Sequence, residues 1–185
     1  MKDDEHDVGS GIIEEVFSEE YAIDDLTEFC HMDVASAEFF RALDVDACWT
    51  EIGIHRQWLV KYIVDISDVN NGIFLETVSH DTDGIVTDGW VWASKAQRLI
   101  YYKPDLGVIY VIDLPKLRDQ IEDILSKCGK AIHISTERDG KQLALKGIAL
   151  PFTEMGDICL RRVELSEELT EKFNQEIGKR ESGVS

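Results

Sequence analysis

The order of helical and strand-like segments predicts an α+β chain, α/β in the broad sense, with a mixed central sheet flanked by helices around one core. Three observations carry the prediction. Apolar residues recur at helical spacing as far as Leu43. The period then drops from 3.6 to 2 at Cys48, and turn-forming stretches such as DVNNG (68–72) and KPDLG (103–107) divide the rest of the chain into short strands.

Residues 1–9 (MKDDEHDVG) hold four acids and no apolar period, as a fraying end does. Ser10 caps a helix carrying Ile12, Ile13, Val16 and Phe17, and a second short helix carries Tyr21, Ile23, Leu26 and Phe29-Cys30. Together these form an acidic helical N-terminal extension over residues 1–32. A core over 33–185 comes next and closes with a C-terminal helix. Asp33 caps a third helix, VASAEFFRAL (34–43), with Ala35, Phe39 and Leu43 on one face and Glu38 beside it.

Strands are expected at CWTEIGIH (48–55), WLVKYIVDIS (58–67) and GIFLETVS (72–79), because β-branched and apolar residues alternate there. In the second, Lys61, Ile63, Asp65 and Ser67 share one face. DVNNG turns the chain, since Asn and Gly accept left-handed backbone. After a polar loop at 80–89 come a turn at Gly89-Trp90, a short helix around Ser94–Arg98, and two strands flanking KPDLG. Trp90 and Trp92 alternate as core strand residues do. Pro115 fits the first turn of a helix over 115–129 whose stripe is Leu117, Ile121, Ile124 and Leu125, and Gly129 stops it. A hairpin at 131–137 and 142–152, a strand at 158–165, and a final helix capped by Ser166 complete the chain.

With 185 residues and 44% hydrophobic content, the chain is long enough to bury a full core in one domain. Its longest apolar runs, such as 107–114, fall far short of the ~20 residues that span a bilayer, and no basic then apolar leader opens it. The expectation is an intracellular, cytoplasmic protein. Cysteines at 30, 48, 128 and 159 form no CxxC pair, which points to reduced, mostly buried thiols. His55 and His133 have no partners at metal-ligand spacing, and Arg161-Arg162 is too small a basic patch to hold nucleic acid alone.

Charge is unevenly spread. Residues 1–50 hold 15 Asp and Glu against Lys2 and Arg41, a net −13 of the total −18. Such a segment repels a phosphate backbone and suits a basic protein partner, or serves as a solvated face.

Acids also fall where strands should be buried: Glu51, Asp65 and Glu76, with Glu38 on the preceding helix. A charge in a sheet interior is costly unless paired or metal-bound. Carboxylates converging at a sheet edge can hold Mg²⁺ or Mn²⁺, which orients and activates water for phosphodiester attack, with a lysine to stabilise charge on the phosphate. The alternatives are plain: Glu76 faces solvent on an edge strand, and Asp65 caps the turn after it.

The runs GIFLETVSHD, GWVWASKAQRLIYYKPDLGVIYVIDLPKLRDQI and GIALPF resemble the restriction-endonuclease-like PD-(D/E)XK nuclease superfamily, over roughly residues 34–155. The closest likeness is to small phage and bacterial members. The resemblance implies a mixed central sheet, metal-dependent hydrolysis of nucleic acid, and an acid on one strand followed by an acid-x-lysine triad on the next. In one register Asp65 is the first acid and Glu76-Thr77-Val78 the triad. In the other, Glu51 is first and Asp65-Ile66-Ser67 the triad. Both lack the lysine, which the resemblance lets Lys95 or Lys61 supply, with Glu38 in support. Gln97 stands where related chains carry Asp. Two functions are implied: a nuclease with Mg²⁺ or Mn²⁺ at Asp65 and Glu76, or an inactive nuclease-fold protein whose acidic surface binds a partner, in its sharpest form a DNA mimic in a phage–host contest. A homodimer fits either.

Overall fold

A computed structural model of the chain describes residues 26–30, 42–45, 47–51, 56–65, 67–81, 83–128, 130–138 and 141–181. Among these residues, ten strands and three α-helices run in the order β1 (Leu26–Cys30), β2 (Ala47–Glu51), β3 (Arg56–Val64), β4 (Gly72–Asp81), β5 (Val86–Asp88), α1 (Trp90–Ala93), β6 (Arg98–Lys103), β7 (Val108–Asp113), α2 (Leu114–Cys128), β8 (Ala131–Arg138), β9 (Lys141–Pro151), β10 (Cys159–Glu164) and α3 (Glu167–Glu181). The α+β class is the one the sequence predicts, and so are β6, β7, α2, the β8–β9 hairpin, β10 and α3.

The strands form two sheets instead of one. A six-stranded sheet has the order β1-β2-β3-β6-β7-β10, and a four-stranded sheet the order β5-β4-β9-β8. The first is mixed, since β3 and β6 run parallel while its other neighbours are antiparallel. Thus DVNNG does not close a hairpin between β3 and β4. It carries the chain from one sheet to the other, and β4 pairs with β9 from Gly72–Pro151 to Asp81–Leu143.

The main core lies between the sheets and α2. Ile73 and Leu75 of β4, Ile148 and Leu150 of β9, Leu99 and Tyr101 of β6 and Tyr110 and Ile112 of β7 meet Leu117, Ile121 and Ile124 of α2. Strand alternation places each set on one face. The helical stripe at spacings of four and three does the same for α2. Asp113 starts that helix by accepting the backbone N–H of Lys116. The intervening residues Val60, Ile100, Ile109 and Val163 are buried on the opposite face of the larger sheet. There Tyr102 Oη donates to Asn174 of α3 at 3.2 Å. Ser166 caps α3 through the N–H of Leu169, as its position predicts.

Three local expectations are corrected. Leu26 to Cys30 form an edge strand on β2, not part of a helix, because a ladder with a neighbouring strand outweighs weak helical periodicity in a five-residue stretch. The short helix lies at Trp90–Ala93 and not at Ser94–Arg98. Residues after Ser94 are instead drawn into sheet-like bonds, with Gln97 N–H donating to Leu59 O at 2.8 Å. Trp90 and Trp92 therefore sit on a helical turn, Trp90 buried and Trp92 at 38% exposure. The expected helices before Leu26 and at 34–43 lie outside the described residues, apart from helical Ala42 and Leu43, which is in a turn.

Candidate functional site

Asp65 ends the inward face of β3, where Lys61 and Ile63 precede it, and Lys103 ends the matching face of β6 after Leu99 and Tyr101. Parallel pairing of β3 and β6 brings the two ends together. Lys103 Nζ lies 2.6 Å from Asp65 Oδ2, and both side chains are 1% exposed. The ammonium also donates to Val69 O at 2.7 Å. The second carboxylate oxygen, Oδ1, accepts from the Ser67 N–H at 2.7 Å and from the Ser67 hydroxyl. Asp65's own N–H donates to Tyr102 O at 2.9 Å.

Tyr101 joins the cluster. Its hydroxyl oxygen accepts the N–H of Phe74 at 2.9 Å. That N–H lies on the stretch of β4 ahead of the part β5 covers, since β5 pairs only with Val78, Ser79 and His80. Burial first, and the Asp65 charge second, hold the Tyr101 phenol well above its ordinary value. The cluster thus ties β3, β6, the 67–71 turn and the start of β4 into one joint. A buried carboxylate with donors on both oxygens and an ammonium against it is a satisfied ion pair.

A second gathering holds other expected residues. Asp44 takes the left-handed backbone at φ 51°. Its carbonyl accepts Ser94 Oγ at 2.6 Å, and its carboxylate accepts Lys61 Nζ at 2.6 Å. Next to it, Leu43 O accepts the Lys95 N–H at 2.7 Å. Arg118 of α2 donates to Val91 O at 2.6 Å and to Ser94 O. Burial lowers this guanidinium from its ordinary value while Asp44 works in the opposite direction. At the front of α1, Gly89 stands so close to the Glu76 backbone that a Cβ there would meet Glu76 O at 2.3 Å.

The expected site residues therefore divide. Asp65 is sealed into an ion pair with Lys103. Glu76, on β4 in the other sheet, follows Phe74 in the alternation and so leaves the strand on the face opposite Ile73 and Leu75. Lys61 is bonded to Asp44, and Lys95 is exposed on the segment stapled to Leu43. The side chain of Glu51 and the whole of Glu38 lie outside the described residues. Gln97 uses its side-chain oxygen to accept the Leu59 N–H at 3.1 Å, a role in closing the sheet. Cys48, Cys128 and Cys159 are half-buried, not buried as expected, and lie outside any disulfide, with burial raising the thiols of Cys128 and Cys159.

Sequence reasoning missed Lys103 and Asp44. Lys103 had a signal: it continues the parity of Leu99 and Tyr101, so it is a charge aimed at the core. Asp44 had none, because its role rests on a left-handed backbone and on contacts with residues as far as 50 positions away. No family model matches this chain, and neither the curated proteins nor the solved structures contain a match to it. Among the described residues, no three His, Cys, Asp or Glu side chains gather as a metal-ligand set, and no helix is long and apolar enough to cross a membrane.

Proposed function

We propose that the chain is a protein of restriction-endonuclease-like ancestry that works by binding and not by hydrolysis, its acidic surface engaging a basic site on a protein partner. A DNA mimic or inhibitor in a phage–host contest is the sharp form of this reading. One observation carries it: the strand-end acid at the centre of the expected hydrolytic site, Asp65, has both oxygens engaged by Lys103 and Ser67 and is 1% exposed. In this arrangement Asp65 offers no free face to a divalent ion, which needs several oxygen ligands and retained waters. Exposed acids outside the first fifty residues, such as Asp119, Glu122 and Asp123 on α2 and Glu167, Glu168 and Glu171 on α3, extend the negative surface.

A second reading, Mg²⁺- or Mn²⁺-dependent phosphodiester hydrolysis, draws on the second gathering. There Lys61 pairs with Asp44, the Lys95 backbone is bonded to the neighbouring Leu43 with its side chain exposed, and Gly89 ahead of α1 rests on Glu76. Cations in that position suit charge on a phosphate.

One pair of assays separates the two. The full chain, incubated with supercoiled plasmid and with single- and double-stranded oligonucleotides in Mg²⁺ or Mn²⁺, is expected to leave them uncut, and to displace duplex DNA from a basic DNA-binding probe protein. Metal-dependent cutting that disappears in Glu76→Ala or Asp44→Ala would establish hydrolysis in its place.

A further inference from the structure

Among the described residues, four strands end the two sheets: β1 and β10 in the larger, β5 and β8 in the smaller. Such edges present unpaired backbone groups, and proteins commonly blunt them with bulges, charges, proline or brevity. Three of the four are blunted here. β1 has five residues and a register shift between Leu26 and Phe29. β5 has only three residues. β10 shifts register between Cys159 and Arg161 and carries Arg161 and Arg162 side by side.

β8 is different. All eight of its residues pair with β9 in unbroken register. It contains no proline, and from Ala131 to Thr136 it has no acid, lysine or arginine. Ala131, His133 and Ser135 are exposed, whereas Ile132, Ile134 and Thr136 are half-buried. In a chain of net charge −18, this is an edge at which two copies can approach without setting acids against acids.

We propose that β8 pairs antiparallel with β8 of a second copy about a two-fold axis, joining the two four-stranded sheets into one continuous sheet. The strand is self-complementary when the axis passes through His133. Opposed residues in an antiparallel ladder share a face, so paired numbers must have the same parity. Centring on Ile134 sets Lys130 against Arg138, a like-charge pair. Centring on His133 sets Ile132 against Ile134 on both sides of the axis, Ala131 against Ser135 and Lys130 against Thr136. The second register buries apolar pairs on the half-buried face and sets no two like charges opposite each other. It also places His133 directly across from its own copy.

That last feature supplies the test. Sedimentation equilibrium of the full chain should show a concentration-dependent dimer. His133→Lys and His133→Glu, substitutions at an exposed position, should each weaken it by roughly fivefold, since each sets like charges directly opposite. An equimolar mixture of the two should associate at least as well as the unaltered protein, because lysine then faces glutamate. A strictly monomeric chain would overturn the proposal and leave the edge to a strand from another protein. A dimer indifferent to both substitutions, or a mixture that fails to recover, would also overturn it by placing the contact elsewhere.

Discussion

Lys103 and Asp65 make a contact that is costly to break. An ammonium and a carboxylate at 1% exposure stabilise the fold only as a pair. Removing one leaves the other charged, buried and unpaired, which costs about 3–5 kcal/mol. Lys103→Met is therefore expected to lower the unfolding free energy by about that much in a urea titration, while Asp65→Asn combined with Lys103→Met recovers most of the loss. A double variant as unstable as the sum of the singles would show that the two residues act independently. Tyr101 gives the same joint a pH dependence. Its folded phenol is held above the ordinary 10.0, by burial first and by Asp65 second, so above pH 10 the unfolded chain releases a proton that the folded chain keeps. The stabilisation is complete below pH 10 and is lost as pH rises beyond it, at up to ~1.4 kcal/mol per pH unit for this group. Tyr102 adds to the trend, its phenol being pushed up to about 12 by burial and then by Asp105. Comparing urea midpoints above and below pH 10 should show a shallower fall in Tyr101→Phe than in the unaltered chain. These charges were only half legible in the sequence: Asp65 stood out as an acid in an apolar strand, but its partner is 38 positions away and was visible only through parity.

At the scale of elements, close backbone approach decides which residues are tolerated. A Cβ at Gly147 would meet Leu75 O at 2.1 Å and the Phe74 ring at 2.7 Å, across the ladder that holds β4 to β9. A Cβ at Gly89 would press on Glu76 O, moving α1 off β4. Gly147→Ala and Gly89→Ala are each expected to cost about 1–3 kcal/mol in thermal or urea unfolding, and Gly89→Ala should also disturb the bonds from Lys95 and Ser94 to residues 43–44. An alanine tolerated without loss at either site would contradict the packing described. Most elements could be read in advance because their signals are local: alternation in β6 and β7, turn chemistry at KPDLG, the stripe in α2 and the cap at Ser166. Sheet membership could not. Whether β4 pairs with β3 or β9 depends on Lys103 holding the 67–71 turn and on Leu143–Pro151 offering a long complementary ladder, and both are non-local. Edge strand β1 was missed for the same reason, as its five residues become a strand only against β2.

At the scale of the whole molecule, charge separates the two functional readings. A net −13 over residues 1–50 opposes approach to a polyanion and favours a basic partner. Because Leu26 to Cys30 form a strand of the larger sheet, a deletion that tests the acidic segment should stop at residue 25. That variant is expected to fold, yet to lose its ability to displace duplex DNA from a basic probe protein. Retained displacement would locate the acidic contact elsewhere on the molecule.

The central claim, that Asp65 is committed to Lys103 and does not serve as a metal ligand, is most directly tested by unfolding the full chain with and without Mn²⁺. A bound ion stabilises the folded state by about 2.7 kcal/mol at a hundredfold excess over its dissociation constant. With Asp65 spent on the lysine, the melting temperature should not move with Mn²⁺. A rise with Mn²⁺ that Asp65→Asn abolishes would make that carboxylate a metal ligand after all.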